Sequence, residues 1–174
     1  MQITSQIYHA FYLVLEKIIR WSIHPIFRAK ILKILGANIG NNVRIYEIQL
    51  INLKEGFKNL HIADDVHIGA GCILDLEGHI YIGERSTLSP RVIILTHQDP
   101  GSSHMSKLSS IYKPSTGKTY IGSDCWIGAN TTIISEVCLG NCVVVGAGSV
   151  VTRNFNELSM IAGTPANIIK NLNI

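Results

Sequence analysis

The sequence predicts an all-β chain wound as a parallel β-helix of six-residue repeats, preceded by a short helical segment. Three observations carry this reading. From Ile121 onward every sixth residue is aliphatic: Ile121, Ile127, Ile133, Leu139, Val145 and Val151. The same beat runs earlier, through Ile62, Ile68 and Leu74 and through Ile82, Leu88 and Ile94. Finally, Gly122, Gly128, Gly140 and Gly146 directly follow late anchors, and small or β-branched residues (Cys125, Thr131, Val137, Val143, Ser149) stand four places after them. A period of six suits neither the 3.6-residue helix nor the two-residue alternation of a strand. It suits a short strand and a corner repeated around a prism. The anchor points inward, a glycine relaxes the corner, and a small side chain fills the remaining space.

Residues 1–36 stand apart as a helical cap. Ile7, Phe11, Val14, Leu15, Ile18 and Ile19 recur at helical spacing, and Ile31, Leu32, Ile34 and Leu35 follow after His24-Pro25. Pro25 suits the first position of a second helix and Gly36 its C-terminal cap. Such helices cover the open end of a prism, where free backbone groups invite edge pairing. Tyr8, Phe11, Tyr12, Trp21, Phe27 and several Lys and Arg in the same segment also allow docking on a membrane surface. Capping together with packing between copies is the preferred reading.

The prism is expected over residues 37–170. Ile39, Ile45 and Ile51 open it, the phase slips between Lys54 and Leu60, and two extra residues fall within Leu76 to Ile80. Residues 98–120 form a polar excursion rich in Gly, Ser, Pro and Lys without an apolar period. A loop of that length within a regular repeat is more often functional than accidental.

Composition sets bounds. The 174 residues suffice for one domain with its own core, and 15 Lys and Arg against 12 Asp and Glu leave a net charge of only +3. No Lys/Arg-rich stretch tracks a phosphate backbone, which argues against a nucleic-acid partner. No apolar run reaches membrane-span length, and Met1 to Ser5 lacks the basic start of a signal peptide, so a cytoplasmic protein is expected, peripheral to the membrane at most. Cys72 and Cys125 fall on inward positions, and Cys138 with Cys142 lacks the second Cys or His pair of a zinc finger. Reduced structural thiols and no metal are expected.

Among seven histidines, His97 stands where the regular wall gives way to the excursion. That junction makes a cleft with one rigid and one mobile side, and a neutral imidazole there can take a proton near pH 7. One turn of the prism holds three repeats, so Leu74 underlies Ile94 and Glu77 underlies His97, with Asp75 close by. A carboxylate one coil away, about 4.8 Å along the axis, either orients the imidazole or holds an acceptor hydroxyl.

The stretch Ile121-Gly122-Ser123-Asp124-Cys125-Trp126-Ile127-Gly128-Ala129-Asn130, the run Val145-Gly146-Ala147-Gly148-Ser149-Val150-Val151-Thr152-Arg153, and Ala162-Gly163-Thr164-Pro165-Ala166 resemble the C-terminal signature of hexapeptide-repeat acyltransferases. Ile93-Ile94-Leu95-Thr96-His97 is similar to the catalytic segment of their maltose, galactoside and xenobiotic O-acetyltransferase branch. The resemblance covers about residues 28–170. It implies a left-handed β-helix, an exception to the right-handed crossover rule, assembled as a homotrimer with active sites between subunits and using acetyl-CoA as acyl donor. By motif, the catalytic histidine falls on His97. Coenzyme contacts fall on Trp126, Ala129, Ala147, Thr152, Arg153 and Lys170, and the acceptor-binding acid of the galactoside branch falls on Glu77. Two positions depart from the pattern: Asn167 replaces a frequent Lys, and Ser135-Glu136 replaces a frequent Pro-Gly.

The expected function is acetyl transfer to a hydroxyl, with His97 as general base, backbone N–H groups steadying the oxyanion, and no acyl-enzyme. The preferred acceptor is a sugar in a surface polysaccharide or glycolipid precursor, with Glu77 and Asp75 as acceptor-binding candidates. An antibiotic acceptor is the alternative. A zinc-dependent β-helix and a non-catalytic trimeric binding module are the remaining classes; zinc needs converging imidazoles, and the excursion offers only His104 besides His97.

Overall fold

The structure is a computed structural model and describes residues 2–22 and 24–173. Its body is a three-walled prism. The first wall stacks Asn38–Ile39, Leu60–Ile62, His79–Ile82, Lys118–Ile121 and Cys138–Leu139; the second runs from Arg44–Ile45 through His67–Ile68, Thr87–Leu88, Trp126–Ile127 and Val144–Val145 to Ser159–Gly163; the third stacks Gln49–Ile51, Ile73–Asp75, Ile93–Ile94, Thr132–Ile133 and Val150–Val151. All neighbours within these walls are parallel, and Tyr120 with Cys138, Trp126 with Val144 and Thr132 with Val150 pair at a separation of 18 residues, one turn of three repeats. Beyond Ser159–Gly163, the strand Ala166–Asn171 turns back antiparallel against it and closes the upper end.

Burial follows the repeat. Ile121, Ile127, Ile133, Leu139, Val145 and Val151 are all fully enclosed, as are the small residues four places later, from Cys125 to Ser149. The corners follow a different rule from the one expected. The residue in the left-handed conformation is the third after the anchor, namely Asp124, Asn130, Glu136 and Cys142, with φ between 56° and 67°. Asn and Asp tolerate that region better than other side-chain-bearing residues. The glycines directly after the anchors serve instead to let adjacent coils approach: a Cβ on Gly128 would lie 2.6 Å from the Ala147 amide nitrogen, and one on Gly122 would lie 2.5 Å from the Gly140 carbonyl oxygen. The third-wall anchor of the first coil is also Leu50, paired with Leu74, and not Ile51, so the phase slips one repeat earlier than the aliphatic spacing suggests. The irregular segment around Lys54 contributes a core plug, Phe57, whose ring meets Tyr12 edge-on.

Two helices close the lower end, α1 (Gln2–Arg20) and α2 (Pro25–Ile34). Only part of the apolar content of α1 turns to the body: Tyr12, Leu15 and Ile19 pack on the core, whereas Ile7, Phe11, Val14 and Ile18 face outward. The cap also satisfies backbone groups of the first coil. Buried Glu16 accepts from the Leu50 amide at 3.3 Å, and buried Arg28 donates to the Ile45 carbonyl at 2.7 Å and to carbonyls at the end of α1. Leaving those groups unpaired inside the protein would cost about 1–3 kcal/mol each.

Candidate functional site

The corner between the third and first walls holds the candidate site. Ile93–Ile94 brings the chain to it, Leu95 and Thr96 turn it, and His97 leaves the prism. His97 and Gln98 pair antiparallel with Thr116 and Ser115, forming a short stalk for the excursion, and the prism resumes at Lys118, three residues earlier than the aliphatic beat indicates. The stalk fixes the backbone of His97 on both sides, and Thr96 locks the corner. Its buried hydroxyl donates to the Asp75 carbonyl at 2.8 Å and accepts from the Gly78 amide at 2.8 Å, while its carbonyl accepts from Gly117 and from the Ser135 hydroxyl.

Asp75, one coil below, points its carboxylate up at this corner. Oδ2 lies 2.5 Å from His97 Nδ1 and accepts from the Thr96 and His97 amides at 2.9 and 3.1 Å. Oδ1 accepts from Asn52 Nδ2 at 2.8 Å and from the Glu77 amide at 3.2 Å. Burial alone would raise the Asp75 pKa, but the bonds from His97, Asn52, Thr96 and Glu77 outweigh it and hold the carboxyl below the ordinary carboxylate value. An ionised acceptor at Oδ2 places the neutral imidazole's proton on Nδ1, which leaves Nε2 with its lone pair. The imidazole is partly exposed and Asp75 not at all.

This geometry changes two expectations. Asp75 has no surface to offer an acceptor and all its bonds run inward, so of the two roles considered for it only the orienting one is sterically open. Glu77 is not the residue beneath His97; it forms an ion pair with Lys54 at 2.8 Å and lines a separate cleft with His79, Thr116 and Lys118. Leu74 pairs with Ile94 as the repeat predicts, so Asp75, the next residue, lies under the corner, and the extra residues that follow leave Glu77 paired with Lys54 instead.

His97 opens into a groove of about 420 Å³ that climbs the corner column. Ser135 and Glu136 stand on its next level, and Thr152 and Arg153 on the one above. The Arg153 guanidinium donates to Asn167 Oδ1 at 2.8 Å and lies 5.3 Å from the Phe155 ring centre, so the residue in the place of the frequent Lys orients the arginine. A groove with a base at its foot and a cation at its head suits a long ligand with a reactive end and a phosphate end.

Comparison with known proteins accords with this geometry. The family model for the bacterial transferase hexapeptide (six repeats) matches residues 118–153. The chain carries the hexapeptide repeat of bacterial transferases. It is 35% identical over 121 residues to an Escherichia coli K12 protein described as a candidate lipopolysaccharide biosynthesis O-acetyl transferase, WbbJ, a match that covers 66% of this chain and 59% of the relative. It is 29% identical over 161 residues to the galactoside O-acetyltransferase of Lactococcus lactis, covering 92% of this chain and 75% of the relative. In fold it is similar to the hexapeptide-repeat containing acetyltransferase VCA0836 from Vibrio cholerae, with a TM-score of 0.83, 21% identity, and coverage of 98% of this chain and 94% of the other. The prism is therefore a left-handed parallel β-helix.

Within this hexapeptide-repeat chain, the structure brings His97, Thr152 and Arg153 to one groove but leaves the remaining coenzyme candidates elsewhere. Ala129 and Ala147 sit at the corner between the second and third walls, where the Gly148 amide donates to the Ala129 carbonyl at 2.8 Å. Trp126 lies exposed on the second wall, its indole N–H donating to the Ser89 hydroxyl at 3.0 Å, and Lys170 lies on the closing antiparallel strand beside Met160. Asn52, Thr96 and Ser135, which hold Asp75 and His97 in place, were not signalled by the repeat. One pattern does point to Asn52: Asn41 with Asp64, Asn42 with Asp65, Asn52 with Asp75 and Lys54 with Glu77 all pair at a separation of 23 residues.

Proposed function

We propose that the protein transfers the acetyl group of acetyl-CoA to a hydroxyl of a sugar, within a precursor of a surface polysaccharide or glycolipid. The observation that carries this reading is the 2.5 Å contact between His97 Nδ1 and a buried, ionised Asp75 at the foot of a groove headed by Arg153. The coenzyme lies along the corner column with its phosphates near Thr152 and Arg153 and its thioester near His97. Acetyl-CoA is also bound in a crystal structure of VCA0836, whose fold matches this chain with a TM-score of 0.78. His97 Nε2 takes the proton of the acceptor hydroxyl as its oxygen bonds to the thioester carbonyl carbon. Asp75 stabilises the imidazolium so formed. The C–S bond then breaks, and the departing thiolate takes the proton from His97, which restores both groups without an acyl-enzyme.

The sugar acceptor draws support from the names of two relatives, one attached to lipopolysaccharide biosynthesis and one to galactosides. Glu77, set beside the stalk, is the candidate for holding a sugar hydroxyl. An acetyl-CoA consumption screen across nucleotide sugars, free glycans and chloramphenicol-like or streptogramin-like drugs tests the reading. Turnover with saccharides and not with drugs is the expected outcome. Turnover confined to the drugs would replace the sugar acceptor by an antibiotic, and no acetyl-CoA binding at all would leave a non-catalytic module.

A further inference from the structure

The lower cap holds an apolar face that the prism does not use. On α1 and at the residue directly after it, Ile7, Phe11, Val14, Ile18 and Trp21 follow one another in steps of four and three residues and are between 55% and 85% exposed. That alternation lines them up along one side of a helix. The residues that pack on the core, Tyr12, Leu15 and Ile19, occupy a different side. On α2, Phe27 and Ile34 are exposed as well. An apolar stripe of this extent on a water-soluble surface marks a docking site.

Charge identifies what docks. Residues 1–36 hold five of the 15 Lys and Arg but only one of the 12 Asp and Glu, so the remaining chain is slightly acidic. That one acid, Glu16, is buried and paired with Arg20. Lys17, Lys30 and Lys33 are exposed, and none is in an ion pair among the described residues. The cap thus shows solvent an apolar stripe, a Trp at its end and cations that outnumber its acids, with Asp64 of the prism near Lys33. A second copy of the same cap would bring like charges together, whereas an anionic lipid surface complements both features. Neither helix is long and apolar enough to cross a membrane.

We propose that the cap docks the protein on an anionic membrane surface, with the α1 stripe lying among the lipid headgroups and Lys17, Lys30 and Lys33 against their phosphates. The proposal does not depend on the acceptor being a sugar, but it would hold the active corner at the surface where lipid-linked acceptors reside.

The test is co-sedimentation of the full-length protein with phosphatidylcholine vesicles, with and without phosphatidylglycerol, alongside its mass by light scattering. Binding to the phosphatidylglycerol vesicles alone, weakened by added salt, is the expected result. Phe11→Asp and Ile18→Asp should each lower the bound fraction about tenfold or more, given the apolar area withdrawn from lipid. Lys17→Glu with Lys30→Glu should lower it and flatten its salt dependence. Circular dichroism and turnover on a soluble acceptor should stay at wild-type values in these variants, because the substituted side chains lie outside the core and the groove. Indifference of the wild-type protein to both vesicles overturns the proposal. So does a fall in particle mass on Phe11→Asp without vesicle binding by the wild type, since the stripe would then join copies of the chain.

Discussion

At the scale of single residues, the candidate site joins a buried carboxylate to an imidazole. Because the folded-state pKa of Asp75 is depressed, the stability it contributes is fully present above its unfolded value, ~3.9, and is lost as pH falls through the lower folded value. Asp75→Asn should therefore be less stable than wild type at neutral pH, with the gap narrowing in urea titrations run below about pH 4. A gap that stays constant well below about pH 4 would mean that Asp75 is not ionised in the fold. Two kinetic predictions accompany it. His97→Ala should keep its fold and acetyl-CoA affinity while kcat drops by ~10²-fold or more, the ordinary scale of general base catalysis. Arg153→Ala should raise KM for acetyl-CoA about tenfold with kcat nearly intact, because a charge-assisted phosphate contact is worth roughly 1.5–3 kcal/mol and is made equally in ground and transition states. That penalty should vanish with an acetyl-pantetheine donor, which carries no nucleotide phosphates; an equal loss with both donors would put Arg153 somewhere other than at the phosphate end.

At the scale of elements, the aliphatic period made the walls legible because every anchor meets the same demand, an inward position on a two-residue strand. His97 was legible for a related reason: it marks the point at which that demand stops. Its partner was not. The identity of the residue beneath His97 depends on how an insertion after Leu74 is absorbed, and only the folded corner settles that Asp75 faces the imidazole and Glu77 faces Lys54. The glycine pattern was visible, but its cause was misassigned, since the crowding comes from the next coil and not from the local φ. The distinction is measurable. Gly128→Ala places a Cβ 2.6 Å from backbone atoms at Val145 and Ala147, which cannot yield as a flexible side chain would, so a loss of about 1–3 kcal/mol is expected from thermal or urea unfolding. Gly148→Ala, with φ +71° and open space around it, should lose only about 1–2 kcal/mol, from the left-handed conformation alone. Asn130→Gly, at a left-handed corner where coil contacts are not the constraint, should be near neutral. If Gly128→Ala proved as mild as Asn130→Gly, the coils would be less tightly apposed than the backbone contacts indicate.

At the scale of the whole molecule, the coenzyme candidates fall on two corners of one prism, His97, Thr152 and Arg153 on one, Ala129 and Ala147 on another. A single ligand cannot reach around a wall, but two prisms set side by side can bring unlike corners together, and the three walls suit closure about a threefold axis. A homotrimer of three 19.1 kDa chains should therefore appear by light scattering, with each site assembled from two copies. Subunit mixing tests the shared site directly. His97→Ala removes the base from one corner, and Ala147→Trp blocks the coenzyme at the other, so each variant alone should be inactive. When equal amounts are unfolded and refolded together, a site is intact only where the His97 corner comes from an Ala147→Trp chain and the facing corner from a His97→Ala chain. Random assembly of closed trimers gives that pairing at about one site in four. Recovery to roughly a quarter of wild-type turnover is thus expected for a site between copies. No recovery from a mixture that forms trimers of the correct mass would place both halves of the site in one chain, and the separation of the two corners would then need another explanation.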